Sequence, residues 1–202
     1  TKSKKFVLPN PIKSLVKINK IPNPNLRLIY LGQMHKAKGV LELIASFKKL
    51  KLKHIRLDIV GIGQDLNKAK ELAKEDERIS FHGWLNHKQL IPIISRADLM
   101  IVPSLCYENS PTVIYESLSM GLPVIASEIG GASELITEGL NGWTYPAGDF
   151  ETLNKKIISL YQQREKISKM ADNCRTSVAK HTIANYSQNL LKIINDEYQS
   201  EA

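Results

Sequence analysis

Cysteine is scarce in this sequence, and a long apolar run is missing. Cys106 and Cys174 are the only two cysteines among 202 residues, and they lie far apart. This spacing argues against a disulfide framework or a Cys-x-x-Cys metal site, and it favours a reducing compartment. No apolar stretch approaches the roughly 20 residues that a membrane-spanning helix needs. The apolar content of 43% and the charged content of 24% are ordinary for a globular protein.

Acidic residues are nearly absent from the first quarter of the chain. Residues 1–56 hold 14 Lys and Arg against one acid, Glu42, whereas residues 57–202 hold 14 against 19; the balances of +13 and −5 give the net charge of +8. Such a basic region suits nucleic acid, an anionic membrane face or a phosphorylated substrate, and it can equally be a solvated surface. Nucleic-acid binding rests on this charge alone, because interleaved aromatic residues and a recognition motif are missing.

Short apolar segments alternate with amphipathic ones through the middle of the chain. We predict strands at residues 26–31, 55–60, 79–82, 98–102 and 123–127, and helices at residues 39–51, 65–75, 88–96 and 112–120. This alternation is typical of an α/β fold with a doubly wound, Rossmann-like parallel sheet. Residues 150–199 are predicted to form two or three helices, the last of which begins near Thr182. The Gly-, Trp- and Tyr-containing segment 142–145 is not assigned to a strand.

The same pattern divides the chain into three predicted parts. Residues 1–25 contain four prolines and are predicted to be an interdomain connection. Residues 26–181 form the Rossmann-like domain, and residues 182–202 form a C-terminal helix. Because the chain begins at Thr1 rather than at methionine, we expect it to be a piece of a longer protein.

Three loops follow predicted strands at the sheet edge where α/β proteins bind ligands. Their sequences are GQMHKAKG, GIG and PSLCYENSP. In the third, Ser110 is predicted to be the N-cap and Pro111 the first residue of the next helix. The N–H groups of Thr112 and Val113 would then form an anion site that Lys38 could complete, with a diphosphate as the natural guest. The alternative is a well-capped helix without a ligand.

Other site types find less support in these loops. The GIG turn has Leu66 where a dinucleotide fingerprint needs its third glycine, so an NAD dehydrogenase is not expected. An Asp-x-Asp motif and a His, Cys and Asp cluster with ligand spacing are both missing, so no metal is predicted. Glu108 and Glu116 could face one crevice, although each alone is more typical of a solvated surface acid.

Several segments together resemble a known family. The segment ENSPTVIYE, from Glu108 to Glu116, resembles the E-x7-E signature of family-4 retaining glycosyltransferases of the GT-B fold. The following SLSMGLPVIASEIGGASELITEGLNGW is also similar, and LGQMHKAKG resembles the family's G-R-x4-K-G phosphate loop. The segments VLPNPI, IVGIGQ, ISFHGW and ADLMIVPS fall in the family's order. The resemblance covers nearly the whole chain and identifies it as the nucleotide-sugar-binding C-terminal half.

The resemblance implies a role for each matching residue. Glu108 would lie beside the donor sugar as the candidate catalytic residue, Glu116 would bind the ribose hydroxyls, and Lys38 would pair with the diphosphate. The donor-binding set as a whole comprises Gly32, Gln33, Lys38, Asn109, Ser110, Pro111, Thr112, Val113 and Glu116. Residues near the nucleobase would be His82, Gly83, Trp84 and Leu85. At Gln33 the chain departs from the family, which usually has arginine there, and so loses a charge-assisted contact to the diphosphate.

The function implied is a retaining hexosyltransferase. It would move a sugar from a UDP-sugar, or from a GDP-sugar, to a glycan or lipid-linked acceptor, without metal or cofactor, in bacterial surface-polysaccharide synthesis. The acceptor would bind to an N-terminal domain on which residues 182–202 pack, so we expect this chain alone to bind the donor without turnover. The expected location is cytoplasmic, with possible peripheral contact on the inner face of the plasma membrane. Alternatives are a GT-B-like epimerase or phosphorylase and a non-catalytic nucleotide-sugar-binding module.

Overall fold

A parallel sheet of six strands lies at the centre of the computed structural model, which describes residues 6–12 and 18–200, with side chains to residue 196. The strand order is β3-β2-β1-β4-β5-β6, and every neighbouring pair is parallel. The strands are β1 (Leu26–Leu31), β2 (Ile55–Val60), β3 (Ile79–Gly83), β4 (Leu99–Val102), β5 (Val124–Ser127) and β6 (Gly142–Tyr145). The predicted α/β fold class with a doubly wound, Rossmann-like sheet is therefore confirmed.

Helices cover both faces of the sheet. They are α1 (Val40–Phe47), α2 (Leu66–Ala73), α3 (His87–Arg96), α4 (Thr112–Ser119), α5 (Phe150–Gln162), α6 (Arg164–Ser168), α7 (Ala171–Val178) and α8 (Ile183–Ser200). Apolar side chains of α1, α2 and α5 pack in one core cluster, and those of α3, α4 and α7 pack in a second cluster on the opposite face. Because both faces are covered, β4 and β5 are buried along their whole length and consist of apolar and small residues.

The topology creates a crevice beside β1. The chain runs outward from β1 through β2 to β3, then returns to place β4 on the other side of β1. At such a reversal, the loops that follow the two adjacent strands diverge and leave a ligand crevice at their carboxyl ends. Here these are the loops after β1 and after β4, which carry GQMHKAKG and PSLCYENSP.

Some details differ from the sequence predictions. Residues 142–145 form β6, which pairs with β5 at the sheet edge. The C-terminal part contains four helices rather than two or three. The predicted start of α4 is wrong by one residue, because Pro111 is the N-cap and Ser110 makes no cap hydrogen bond. The hydroxyl of Ser110 donates instead to Tyr115 Oη at 3.2 Å.

The predicted connection and the predicted C-terminal helix meet beside the sheet. Ile12 forms an isolated parallel bridge with Thr182, and its N–H donates to the carbonyl of His181 at 2.7 Å. Residues 1–5, 13–17 and 201–202 of these two predicted parts lie outside the described residues. The division of the chain at residues 25 and 181 stays a prediction.

Candidate functional site

Two adjoining cavities open in the crevice between the loops after β1 and β4. The larger has a volume of about 1050 Å³ and the smaller about 290 Å³. They meet at a shared wall formed by Leu31, Gly32, Gln33, Thr112 and Val113. The predicted phosphate loop and the start of α4 therefore face each other at the junction of the two cavities.

The larger cavity lies between α4, the GIG turn and the loop after β3. Tyr115 and Glu116 line it from α4, Ile62 from the GIG turn, and Trp84 and Leu85 from the loop after β3. The Trp84 side chain is 67% exposed at this site, which leaves its ring available to a ligand. A flat aromatic ring at the wall of a cavity can stack on another planar ring.

Only two of the four residues predicted to lie near the nucleobase line this cavity. Trp84 and Leu85 do so, whereas His82 and Gly83 do not. His82 Nε2 lies 2.8 Å from Oδ1 of Asp58, a carboxylate that is 1% exposed and that Arg27 also contacts through two nitrogens at 3.1 Å. A buried carboxylate needs such partners, so the His82 side chain serves the sheet rather than the cavity.

The first turn of α4 presents backbone donors at the junction of the cavities. Among the described residues, the N–H groups of Thr112 and Val113 have no hydrogen-bond partner. The first N–H groups of a helix have no acceptor within it, and the helix dipole makes its N-terminus favourable for negative charge. Pro111 is extended with ψ of 105°, and its ring lines the smaller cavity. The shift of the N-cap to Pro111 leaves these two N–H groups at the junction, and the anion site stays a prediction.

Two residues with separate predicted roles, Lys38 and Glu108, form an ion pair in the smaller cavity. Lys38 Nζ lies 2.8 Å from Glu108 Oε2, and the two side chains are 32% and 18% exposed. The hydroxyl of Ser104 donates to the other carboxylate oxygen of Glu108. Burial and the negative charge of Glu108 raise the pKa of the Tyr30 phenol, which donates to the carbonyl of Gln33 at 2.7 Å. Lys38 and Glu108 are thus direct partners, and Tyr30 stays neutral beneath the Gln33 loop.

Glu116 lines the larger cavity and Glu108 the smaller one. The two carboxylates therefore face adjoining spaces rather than one undivided crevice. Asn109 and Ser110, which were predicted to bind the donor, line neither cavity. The Ser110 carbonyl accepts a hydrogen bond from the Asn10 amide at 3.0 Å. These two residues lie in the loop before α4, outside the lining of both cavities.

Glycines bring the loops close enough to form the junction. Gly39 has φ of +68°, and a Cβ there would lie 2.0 Å from the carbonyl oxygen of Pro103. A Cβ on Gly61 of the GIG turn would lie 1.9 Å from the carbonyl oxygen of Gly32. The Met34 N–H also donates to the Ile62 carbonyl at 2.9 Å. The GIG turn therefore supports the predicted phosphate loop.

A second pair of glycines supports Glu108, and reasoning from the residues alone missed it. The Gly131 N–H donates to the Glu108 carbonyl at 2.7 Å. A Cβ on Gly131 would lie 2.0 Å from the Asn109 carbonyl oxygen, and one on Gly130 would lie 2.4 Å from the Glu108 carbonyl oxygen. The adjacent glycines after β5 were the available signal, because such a pair often marks close backbone approach.

The described residues also bear on metal binding and on membrane insertion. Within the described part of the chain, no three or more His, Cys, Asp and Glu side chains form a group that could hold a metal ion. No helix formed by the described residues is long and apolar enough to cross a membrane. Metal independence and the cellular location stay predictions.

Two of the proteins to which this chain is similar are named galactosyltransferases. The chain is 29% identical over 183 residues to the lipopolysaccharide 1,6-galactosyltransferase of Escherichia coli K12, with 82% of this chain and 50% of that protein covered. The fold matches the lipopolysaccharide outer core galactosyltransferase WaaB with a TM-score of 0.80 and 22% identity, over 95% of this chain and 56% of that one. It also matches the Anabaena protein HepE, solved in complex with UDP, with a TM-score of 0.76 and 20% identity, over 86% of this chain and 49% of that one.

The chain spans half or less of the length of its curated relatives, from 32% to 50%. The family model of the glycosyl transferases group 1 matches residues 12–177, which include all six strands and both cavity-forming loops. The match covers most of the chain and agrees with the GT-B structural neighbours. The chain therefore belongs to the glycosyl transferases group 1 family.

Proposed function

We propose that this chain binds the nucleotide-sugar donor of a retaining, metal-independent hexosyltransferase. The observation that carries the proposal is the junction of the two cavities. A space large enough for a nucleoside and a space large enough for one sugar meet at the unpaired N–H groups of Thr112 and Val113. In a nucleoside diphosphate sugar, the diphosphate likewise lies between the nucleoside and the sugar.

The larger cavity suits the nucleoside. Its volume of about 1050 Å³ lies at the upper end of the usual range for small-molecule pockets. Trp84 and Leu85 would contact the base, and Glu116 would accept hydrogen bonds from both ribose hydroxyls, a task for which a carboxylate is suited. HepE, which shares the fold, has been solved with UDP and also with UDP and glucose. These complexes of HepE favour UDP as the nucleotide of this chain as well.

The diphosphate and the sugar would lie at the junction and in the smaller cavity. The helix N-terminus and the Lys38 ammonium would bind the diphosphate and would stabilise the charge that develops on it as the glycosidic bond breaks. Glu108 would contact the sugar hydroxyls or the anomeric region. Because protein donors can neutralise the leaving diphosphate, this arrangement does not require a divalent metal.

Binding measurements on the 202-residue chain test the donor part of this proposal. We expect UDP to bind, and we expect Lys38→Ala to weaken UDP by about tenfold, the scale of one charge-assisted hydrogen bond. Uridine, which lacks phosphates, should bind both proteins equally. Lys51→Ala removes an exposed charge outside both cavities and should change neither affinity. Equal weakening by the two substitutions in calorimetry would contradict a diphosphate at Lys38.

The transferase part needs the full-length protein. The relatives include a galactosyltransferase and the amylovoran biosynthesis glycosyltransferase AmsK of Erwinia amylovora, which supports a surface-polysaccharide or lipid-linked acceptor. We expect sugar transfer with retained anomeric configuration by NMR, unchanged by a chelator, and no transfer by the 202-residue chain. Epimerisation of the donor without any acceptor would favour the epimerase alternative instead.

A further inference from the structure

The buried serine beyond the end of β4 contacts Glu108 but is not among the predicted site residues. Ser104 is 2% exposed and lines the smaller cavity. Its hydroxyl donates to Glu108 Oε1, and its carbonyl accepts a hydrogen bond from the fully buried Ser127 hydroxyl at 2.7 Å. A chain of hydrogen bonds therefore runs from the end of β5 through Ser104 to the Glu108 carboxylate.

The other contacts of Glu108 fall into two kinds. The backbone is held by the Gly131 N–H at 2.7 Å, which fixes the position of the residue but leaves its side chain free to rotate. The second carboxylate oxygen is held by Lys38 at 2.8 Å. Lys38 is also the cation that the proposed function assigns to the diphosphate, and a diphosphate carries more negative charge than one carboxylate. A bound donor would thus compete with Glu108 for the Lys38 ammonium.

We propose that Ser104 is a positioning residue that holds the Glu108 carboxylate in place for the donor sugar. This inference rests on the proposed function and adds a residue to it. When the diphosphate takes the Lys38 ammonium, Oε2 of Glu108 becomes available to accept a hydrogen bond from a sugar hydroxyl. The Ser104 hydroxyl remains on Oε1 and keeps the carboxylate from rotating away, because hydrogen bonds to charged groups are among the stronger ones. Ser104 acts through Glu108 and does not itself contact the nucleotide.

The test compares binding of UDP with binding of UDP-glucose and UDP-galactose by calorimetry. In Ser104→Ala we expect the dissociation constant for UDP to stay within about twofold of wild type. The constant for the sugar nucleotide that wild type binds should rise about tenfold, as expected for loss of one hydrogen bond to a charged group. Ser104→Thr retains the hydroxyl. The ratio of the dissociation constants for UDP and the sugar nucleotide should therefore lie close to the wild-type ratio.

A matched control separates this role from general loss of stability. Ser117 is another fully buried serine, and its hydroxyl donates to the Leu122 carbonyl at 2.9 Å. It lines neither cavity. Ser117→Ala should lower the melting temperature without changing the ratio of the UDP and UDP-sugar constants.

A double variant tests whether Ser104 acts through Glu108. Glu108→Gln should also weaken the sugar nucleotide selectively, and the Ser104→Ala, Glu108→Gln double variant should lose little more than Glu108→Gln alone. Fully additive losses, or equal weakening of UDP and the sugar nucleotide by Ser104→Ala, would overturn the role of Ser104 only. If wild type binds neither UDP nor either sugar nucleotide, the proposed function fails and this inference fails with it.

Discussion

Gln33 lies at the wall that the two cavities share. Its carbonyl accepts a hydrogen bond from Tyr30, and its side-chain amide has no hydrogen-bond partner among the described residues. Arginine, which is usual at the matching family position, would bring a cation to this wall. A planar guanidinium can donate two parallel hydrogen bonds to a phosphate.

We therefore expect Gln33→Arg to bind UDP more tightly than wild type. A gain of about tenfold corresponds to one additional charge-assisted contact, and it should shrink at high salt because the site is open to solvent. Calorimetry at two salt concentrations measures both effects. Gln162→Arg adds the same charge at an exposed position at the end of α5 and should leave the affinity unchanged. An equal or weaker affinity in Gln33→Arg would place Gln33 away from the phosphates.

Single residues of the site differ in how far sequence could predict them. Lys38 and Glu108 follow strands that end at the same edge, so their proximity could be expected, and they form an ion pair. The side chain of His82 points instead to Asp58, a buried partner that only the pairing of β2 with β3 reveals. Ser104 was missed because one serine in a loop gives no local signal, and its importance comes from burial.

Helices and strands could be predicted from the sequence wherever a local residue pattern determines their position. Both β4 and β5 are short apolar runs, and they occur close to the predicted residues. The edge strand β6 has only four residues and includes a glycine, so it lacks the alternation by which strands are recognised. Just before α4, the Ser110 carbonyl accepts a hydrogen bond from the Asn10 side chain, a hundred residues earlier in the chain, and no local cap rule includes such a contact.

The loop that contains Glu108 owes its position to the glycine pair after β5. Gly131 has an ordinary φ, but a Cβ there would lie 2.0 Å from the Asn109 carbonyl oxygen. In Gly131→Ala we expect the Glu108 loop and the start of α4 to shift, which should weaken UDP binding by about tenfold or more. Gly148→Ala provides the control, because Gly148 has φ of +82° but open space around its Cβ position.

These two variants should lose different properties. Gly148→Ala should cost stability by roughly 1 kcal/mol through backbone strain and leave UDP affinity unchanged. Gly131→Ala should lose affinity whatever its melting temperature. Thermal denaturation and calorimetry on both variants separate the two effects, and wild-type affinity in Gly131→Ala would show that the loop does not depend on the glycine.

At the scale of the whole molecule, several charges of the basic first quarter have internal partners. Arg27 binds the buried Asp58, Lys38 binds Glu108, and Lys48 Nζ donates to the Leu72 carbonyl at 2.8 Å. The buried carboxylate of Asp58 offsets the charge of Arg27, whereas Lys48 donates to a neutral carbonyl and keeps its charge. The number of charges can be counted in the sequence, but their partners depend on the topology of the sheet.

The two cavities and a structural ion pair lie at opposite ends of the sheet. The carboxyl ends of the strands hold both cavities, whereas a structural ion pair lies at the amino end of β3. There Asp76 accepts hydrogen bonds from Arg78 at 2.8 and 2.6 Å, and Arg78 also donates to the Leu50 carbonyl at 2.6 Å and lies over the Phe47 ring. This cluster joins the end of α1 to the start of β3, at the other end of the strand from the proposed nucleotide site.

A substitution at the amino end of β3 should therefore change the stability of the protein without changing its affinity for UDP. The hydrogen bonds from Arg78 lower the pKa of the Asp76 carboxyl below its usual value. A carboxyl with a lowered pKa in the folded state stabilises the protein above the unfolded-state pKa of about 3.9, and this contribution is lost as pH falls through the folded-state value. Asp76→Asn should lower the free energy of unfolding by about 1.5–3 kcal/mol at pH 7, and the difference from wild type should shrink below about pH 4.

Urea unfolding of both proteins between pH 7 and pH 3 measures this difference. Glu151→Gln is the control, because Glu151 pairs with Lys155 on an exposed helix surface, where such pairs contribute little to stability. Asp76→Asn should bind UDP with wild-type affinity at pH 7, since the altered pair and the nucleotide site lie at opposite ends of β3. Loss of UDP affinity in an Asp76→Asn variant that is still folded would show that the two ends of β3 are coupled. If the difference in stability between Asp76→Asn and wild type does not change with pH, ionisation of the Asp76 carboxyl is not its cause.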